Sequence, residues 1–198
     1  ASPFVYLGHE AICAVAEKHG VKLHPKPVHL PRVWANSGSV PLGERTPLRQ
    51  RYRLLEIERL AHWRGLRVNP KPAHFPVDPT LADKCVIALI DMGANPLAFM
   101  GDVFAAVWAN ERNISDETFL KELLASHGHD AEAVLAAANS DAVEATRQSN
   151  TVEAIAADAA GVPSYVVDGE VFWGQDRIEH IDHMLTSGRA PIRGSTDG

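Results

Sequence analysis

The stretch "GVPSYVVDGEVFWG", Gly161–Gly174, constrains the fold more than any other part of this chain. It holds two short β-rich runs, Ser164–Val167 and Glu170–Trp173, with Asp168-Gly169 between them. An Asp-Gly pair in that setting predicts a two-residue hairpin, because both turn positions need positive φ. The segment that follows, "QDRIEHIDHMLTSG", is an amphipathic helix with Ile178, Ile181, Met184 and Leu185 on one face.

Ahead of the hairpin the chain reads mainly as helix. Ser2-Pro3 opens a helical pattern that runs to Gly20, Ser being a good cap and Pro a favoured first-turn residue. Val21–Val28, "VKLHPKPV", alternates apolar and polar positions and predicts a short strand, which Pro25 places at an edge or an early end. "HLPRVWANSGSVPLGERTP" reads as a long loop. Helices are then predicted over Pro47–Gly65, from Asp78-Pro79 to Met92-Gly93, and from Asn95-Pro96 to about Asn110. Others run from a Ser115 cap to Gly128, from Asp130 to about Asn139, and from Asp141 to Ala160. Leu48, Tyr52, Leu55, Leu60 and Trp63 mark an apolar face on the Pro47–Gly65 helix. The order is helix, strand, a block of helices, hairpin, helix.

Composition narrows the function. The 198 residues suit one domain, or one domain carrying an insertion, and 45% of them are apolar. A net charge of −6 without a basic block argues against nucleic acid as a partner. No apolar run reaches the ~18 residues of a membrane span, and a soluble cytoplasmic protein is expected. Cys13 and Cys85 are far apart, fall in helical patterns and form no CxxC; they read as buried thiols. His127 with His129, and His180 with His183, lack a third ligand at zinc-like spacing, so no metal is expected. No G-x-S-x-G elbow supports Ser/His/Asp hydrolysis.

A hairpin and helix after a Val-Pro turn form the second half of a thioredoxin-like domain. With "SPFVYL" at Ser2–Leu7, "GVPSYVVDGEVFWGQDR" at Gly161–Arg177 and the helical block between, the chain resembles the 2-hydroxychromene-2-carboxylate isomerases and their kappa-class glutathione transferase relatives, in the DsbA-like branch of that fold. The likeness spans essentially the whole chain. It implies an α/β fold, a thioredoxin-like domain (residues 1–46 and 156–188) with a large inserted all-α domain (47–155) and a flexible tail (189–198). The family carries an aromatic-rich strand before its Ser-Pro. None precedes Ser2 here, so a fragment, or a chain that has lost a few leading residues, is expected.

The resemblance also implies a glutathione site. Ser2 stands where thioredoxins place the first Cys of CxxC, with its hydroxyl aimed at the glutathione sulfur; a plain helix cap is the structural alternative. Val5 takes the second position and excludes dithiol exchange there. Val162-Pro163 is expected to be cis, with the Val162 backbone turned outward to pair with the cysteinyl unit of glutathione. Gln175 and Asp176 fall at the γ-glutamyl end: Asp176 for the ammonium, Gln175 and helix N-terminal amides for the carboxylate. Arg49 falls where the kappa enzymes have a Lys after a Pro and would take the glycyl carboxylate. Arg53 lies one turn further, and both arginines also read as solvated helix charges. Two departures, Ser39 and Glu44, stand where relatives carry Asn. Phe4, Tyr6, Trp34, Phe104, Trp108 and Trp173 are candidates for an aromatic substrate wall, although Phe99, Phe104 and Trp108 also read as core.

The implied function is a glutathione-dependent cis–trans isomerase acting on 2-hydroxychromene-2-carboxylate, or a close aryl analogue, to give trans-o-hydroxybenzylidenepyruvate in aromatic catabolism. The alternatives are a kappa-like glutathione transferase and a non-catalytic DsbA-like binding protein. The expected partner is a small aromatic substrate. Relatives are often dimers, but no interface signature stands out for a homodimer here.

Overall fold

The computed structural model describes residues 1–193. Among them are nine α-helices and one antiparallel hairpin. Helix α1 (Pro3–His19) starts on Pro3 and stops at Gly20. Gly20 takes φ 62°; its N–H donates to the Glu17 carbonyl and the Val21 N–H to that of Ala16. Helix α3 (Pro47–Arg64) is capped by the Thr46 hydroxyl and ends at Gly65. The central block is α4 (Thr80–Asp91), α5 (Leu97–Trp108), α6 (Glu117–Ser126), α7 (Ala131–Ala138) and α8 (Asp141–Ala156).

Strands β1 (Ser164–Val167) and β2 (Glu170–Trp173) pair in the register Ser164 with Trp173 and Val167 with Glu170. The turn residues Asp168 and Gly169 have φ 50° and 84°, as a two-residue hairpin of this kind requires. A 3₁₀ turn, Gln175–Arg177, then leads into α9 (Ile178–Ser187).

Two apolar clusters hold these parts, and α1 serves both. Tyr6 and Leu7 face the large helical core around Trp108, Phe99, Leu120 and Leu124. One turn on, Ile12 packs with Phe172, Ile178, Ile181 and Met184. Gly8 lies between these two faces. A Cβ there would come within 2.8 Å of the Gln175 Cβ and 3.1 Å of the Tyr165 hydroxyl, so only glycine lets α1 sit this close to the 3₁₀ turn. Arg147 of α8, almost fully buried, ties to Asp83 of α4 at 3.0 Å.

Several local expectations are corrected. Residues 21–29 carry no strand. Pro25 and Pro27 cannot donate to a ladder, and no described segment pairs with this stretch. The long loop contains α2 (Leu30–Ser37) and a 3₁₀ turn at Leu42–Glu44. Pro31 in the first turn and Gly38 at φ 71° delimit α2. The cap of α6 is Asp116, whose carboxylate accepts from the Thr118 N–H; Ser115 instead hydrogen-bonds to Asn113. Helix α8 stops short of Ala160, at Ala156. The expected apolar face of α3 is turned outward: Leu48, Tyr52, Leu55 and Trp63 are exposed, and Ile57 and Ala61 are the residues that enter the core. The start of the tail is anchored, because Arg189 binds Glu170 at 2.7 and 2.8 Å and the Ile192 N–H donates to the same carboxylate. The remainder of the expected tail, residues 194–198, lies outside the described residues.

Candidate functional site

Ser2 caps α1 with its backbone alone. Its φ and ψ are −78° and 136°, and its side chain makes no cap hydrogen bond. The carbonyl accepts from the Val5 and Tyr6 N–H groups, at 3.2 and 3.3 Å. The hydroxyl turns instead toward the far end of the chain, where its Oγ lies 3.5 Å from the Val162 carbonyl oxygen. That is the long limit of a hydrogen bond, so the proton is weakly held. The Val162-Pro163 peptide is cis. Among the described residues, neither the N–H nor the C=O of Val162 has a backbone partner. Backbone groups left free in this way can pair with one more segment.

Val162 and Pro163 form one wall of a cleft of about 610 Å³. Phe4, from the first turn of α1, and Trp173, Gly174, Gln175 and Asp176 continue that wall. The opposite wall is α3 and the residue just before its cap, which contribute Arg45, Leu48, Arg49, Tyr52 and Arg53. The structure therefore gathers Arg49, Val162, Pro163, Gln175 and Asp176 around one cleft, and Ser2 abuts it through Val162. A smaller polar hollow of about 350 Å³, beside His74–Asp78, lies apart from all of them.

Two of these side chains are not free in the manner expected. Gln175 is 4% exposed, and its Oε1 accepts from Arg64 at 2.7 and 3.2 Å. Its oxygen is thus occupied, and Arg64 pins the 3₁₀ turn to the end of α3. Asp176 is exposed, with Arg177 3.5 Å away. Gly174 at φ 107° makes the bend that sets Asp176 at the cleft.

The arginines of α3 divide by burial. Arg49 is exposed. Arg53 is not the solvated charge expected of it: its guanidinium stands 5.4 Å from the Phe75 ring centroid and 5.8 Å from that of Trp108. Burial, and then the neighbouring charge of Arg45, lower its pKa to about 10. The spacing of Arg45, Arg49 and Arg53, four residues apart each time, was the available sign that they share a face. Nothing local in the sequence marked Arg64 as the partner of Gln175.

The aromatic candidates also separate. Phe4 and Trp173 line the cleft, joined by Tyr52. Trp108 is fully buried, Tyr6 donates to the Arg67 carbonyl at 2.8 Å, and Phe104 packs edge-on to His9. Trp34 lies beneath Arg45, 5.9 Å from its guanidinium carbon. Both cysteines are free; Cys85 is buried and its thiol is pushed up to about 12, whereas Cys13 is only half-buried. His127 is paired with Asp102 at 2.9 Å. No described helix is long and apolar enough to cross a membrane.

A DSBA-like thioredoxin domain model matches residues 1–186. The chain belongs to the DSBA-like thioredoxin family. Within it, the chain is 23% identical over 186 residues to the 2-hydroxychromene-2-carboxylate isomerase of Sphingobium xenophagum, covering 93% of each. It is 27% identical over 188 residues to the enzyme of that name from Pseudomonas putida, covering 93% of this chain and 89% of that one. A solved 2-hydroxychromene-2-carboxylate isomerase superposes with TM-score 0.79 at 24% identity, over 94% of this chain and 90% of the other. A probable DsbA oxidoreductase from Streptomyces coelicolor gives 0.67 at 19% identity, over 100% and 94%. The resemblance to the isomerase family and the DsbA-like fold therefore hold, and curated relatives of this chain are isomerases.

Proposed function

We propose that this protein is a glutathione-dependent isomerase of 2-hydroxychromene-2-carboxylate or a close aryl analogue. The observation that carries the reading is the Ser2 hydroxyl 3.5 Å from the cis Val162-Pro163 bend, at a cleft whose far wall is the arginine face of α3. The residues present suit the tripeptide by donor type. Val162 offers a backbone N–H and C=O that no other described backbone group pairs, Arg49 an exposed guanidinium, and Asp176 a carboxylate for an ammonium group.

Glutathione, when bound, supplies a sulfur nucleophile that adds to a conjugated carbon of the substrate and leaves again, so it is not consumed. The chain's task is to hold that sulfur deprotonated and in place. A free thiol with a pKa of ~8.5 is only about 3% thiolate at pH 7. Lowering it to ~6.5 needs roughly 2.7 kcal/mol of preference for the anion. The α1 N-terminus supplies about 0.3–1 kcal/mol, up to ~2 when partly buried. A Ser2 hydroxyl that leaves its long contact with Val162 and donates to the sulfur supplies about 1.5–3. The two together suffice where neither comfortably does alone. Gln175 enters as a positioning residue: held by Arg64, it fixes the 3₁₀ turn that carries Asp176.

The test is calorimetry with glutathione, followed by absorbance assays with the chromene acid and, separately, with an aryl halide. Saturable binding with conversion of the chromene supports the proposal. Conjugation of the halide with no chromene turnover makes the protein a transferase, and no glutathione binding overturns the site. Val5 in place of a second cysteine leaves no dithiol for a disulfide exchanger.

A further inference from the structure

Arg53 is a half-buried guanidinium to which the described residues give no carboxylate. Among the described residues it makes no ion pair, and its two near neighbours of known geometry are the rings of Phe75 and Trp108. Of the acidic side chains that line the same cleft, Glu56 is paired with Arg59, and Asp176 is exposed with Arg177 3.5 Å away; neither is paired with Arg53. Arg45 adds a second positive charge and spends its Nε on the Val40 carbonyl, 3.1 Å away. A cation withdrawn from water without a partner is costly, and a binding site is where such a cost is met by a ligand. The aromatic side chains that line the same cleft, Phe4, Tyr52 and Trp173, suit a planar aromatic ligand, and the guanidinium fork suits a carboxylate.

We infer that Arg53, backed by Arg45, is the receptor for the carboxylate of a planar aryl acid, distinct from the exposed Arg49 at the same cleft. The inference rests on the proposed isomerase reading only for which aryl acid is turned over. Its consequence is selectivity: the cleft accepts anionic aryl compounds and discriminates against neutral ones of the same shape. Burial lowers the Arg53 pKa to about 10, which leaves the group charged at neutral pH.

The test compares trans-cinnamate with trans-cinnamamide, equal in shape and different in charge, by calorimetry on the whole protein. The wild type is expected to bind the acid at least about tenfold more tightly, as for loss of one charge-assisted hydrogen bond. Arg53→Met, which keeps an apolar side chain against Phe75 and Trp108, is expected to bring the ratio within about twofold. Arg49→Gln is expected to leave the ratio alone and weaken glutathione. Should Arg53→Met fail to fold, Arg53→Lys, which keeps the charge but loses the fork, is expected to retain only part of the preference. A wild-type ratio near one overturns the inference. So does a ratio unchanged in folded Arg53→Met, and the inference also falls if that variant loses glutathione affinity instead. Acid preference without glutathione binding would overturn the isomerase reading and leave the Arg53 assignment standing.

Discussion

The wall of the cleft at Val162–Asp176 offers a ligand mostly backbone, whereas the α3 wall offers long charged side chains. The first is rigid: Val162 and Pro163 lead directly into β1, the Gly174 N–H returns to the Pro163 carbonyl at 2.9 Å, and Gln175 is buried under α1. The second is a helix whose core contact is narrow, Ile57 and Ala61, and whose other faces reach solvent. Backbone pairing suits an invariant tripeptide, because it reads no side chain. Arginine side chains suit the variable part, the charge and position of a substrate's acid group. On the proposed reading, the first wall would hold most of the tripeptide and the second, Arg49 apart, would set selectivity.

That contrast can be broken from beneath, at the floor of the arginine wall. Trp108 is fully buried against Phe75 and under Arg53. Trp108→Ala is expected to cost about 3–5 kcal/mol in denaturant unfolding, and to abolish the acid preference along with it. Ser2→Ala acts on the opposite wall. It is expected to lower isomerase kcat/KM by roughly 10–100-fold, through loss of one hydrogen bond to an anion. Because the Ser2 hydroxyl makes no cap bond, the melting temperature is expected to stay nearly unchanged. A large fall in stability with unaltered kinetics would make Ser2 a cap and nothing more.

Gly8→Ala tests the rigidity of the backbone wall. The new methyl would meet the Gln175 Cβ at 2.8 Å, and about 1–2 kcal/mol of destabilisation is expected after the gain in helix propensity. Glutathione affinity should fall with it, since Gln175 carries Asp176. The smallest effect belongs to Arg53→Met without ligand, and its sign is the informative part. The folded pKa of Arg53 is about 10, below its ordinary 12.5, so folding disfavours the charged form. The penalty is fully present below pH 10 and is relieved as pH rises from 10 toward 12.5. Allowing for partial exposure and for the lost ring contacts, Arg53→Met is expected to stabilise the ligand-free protein by about 1 kcal/mol at neutral pH. Thermal melts with and without cinnamate check this: the advantage of the variant should shrink when the acid is present.

Much of the frame was legible in residues 1–20 and 161–187, where punctuation is strong. Pro3 and Gly20 delimit α1, Asp168-Gly169 makes its turn, and the interval of apolar residues from Ile178 to Leu185 defines α9. Short-range signals of this kind act through φ restrictions and capping, and they survive without knowledge of neighbours. Residues 21–46 misled for the same reason. "VKLHPKPV" alternates as a strand does, but alternation is only a capacity to pair, and no described segment pairs with it. Leu30–Ser37 was obscured as a helix by its flanking Pro, Gly and Ser, yet a buried Val33 holds it against the rest.

By itself the sequence determined the hairpin, most of the helices, and a hydroxyl and a Val-Pro bend at opposite ends of the chain. Tertiary packing alone decided that these ends meet within 3.5 Å, that Gln175 is already held by Arg64, and that Arg53 is withdrawn from water while Arg49 is not. The reason is range: dihedral preference and amphipathic period are properties of a few consecutive residues. The burial of a charge, and the partner it lacks, depend on which distant segment is packed beside it.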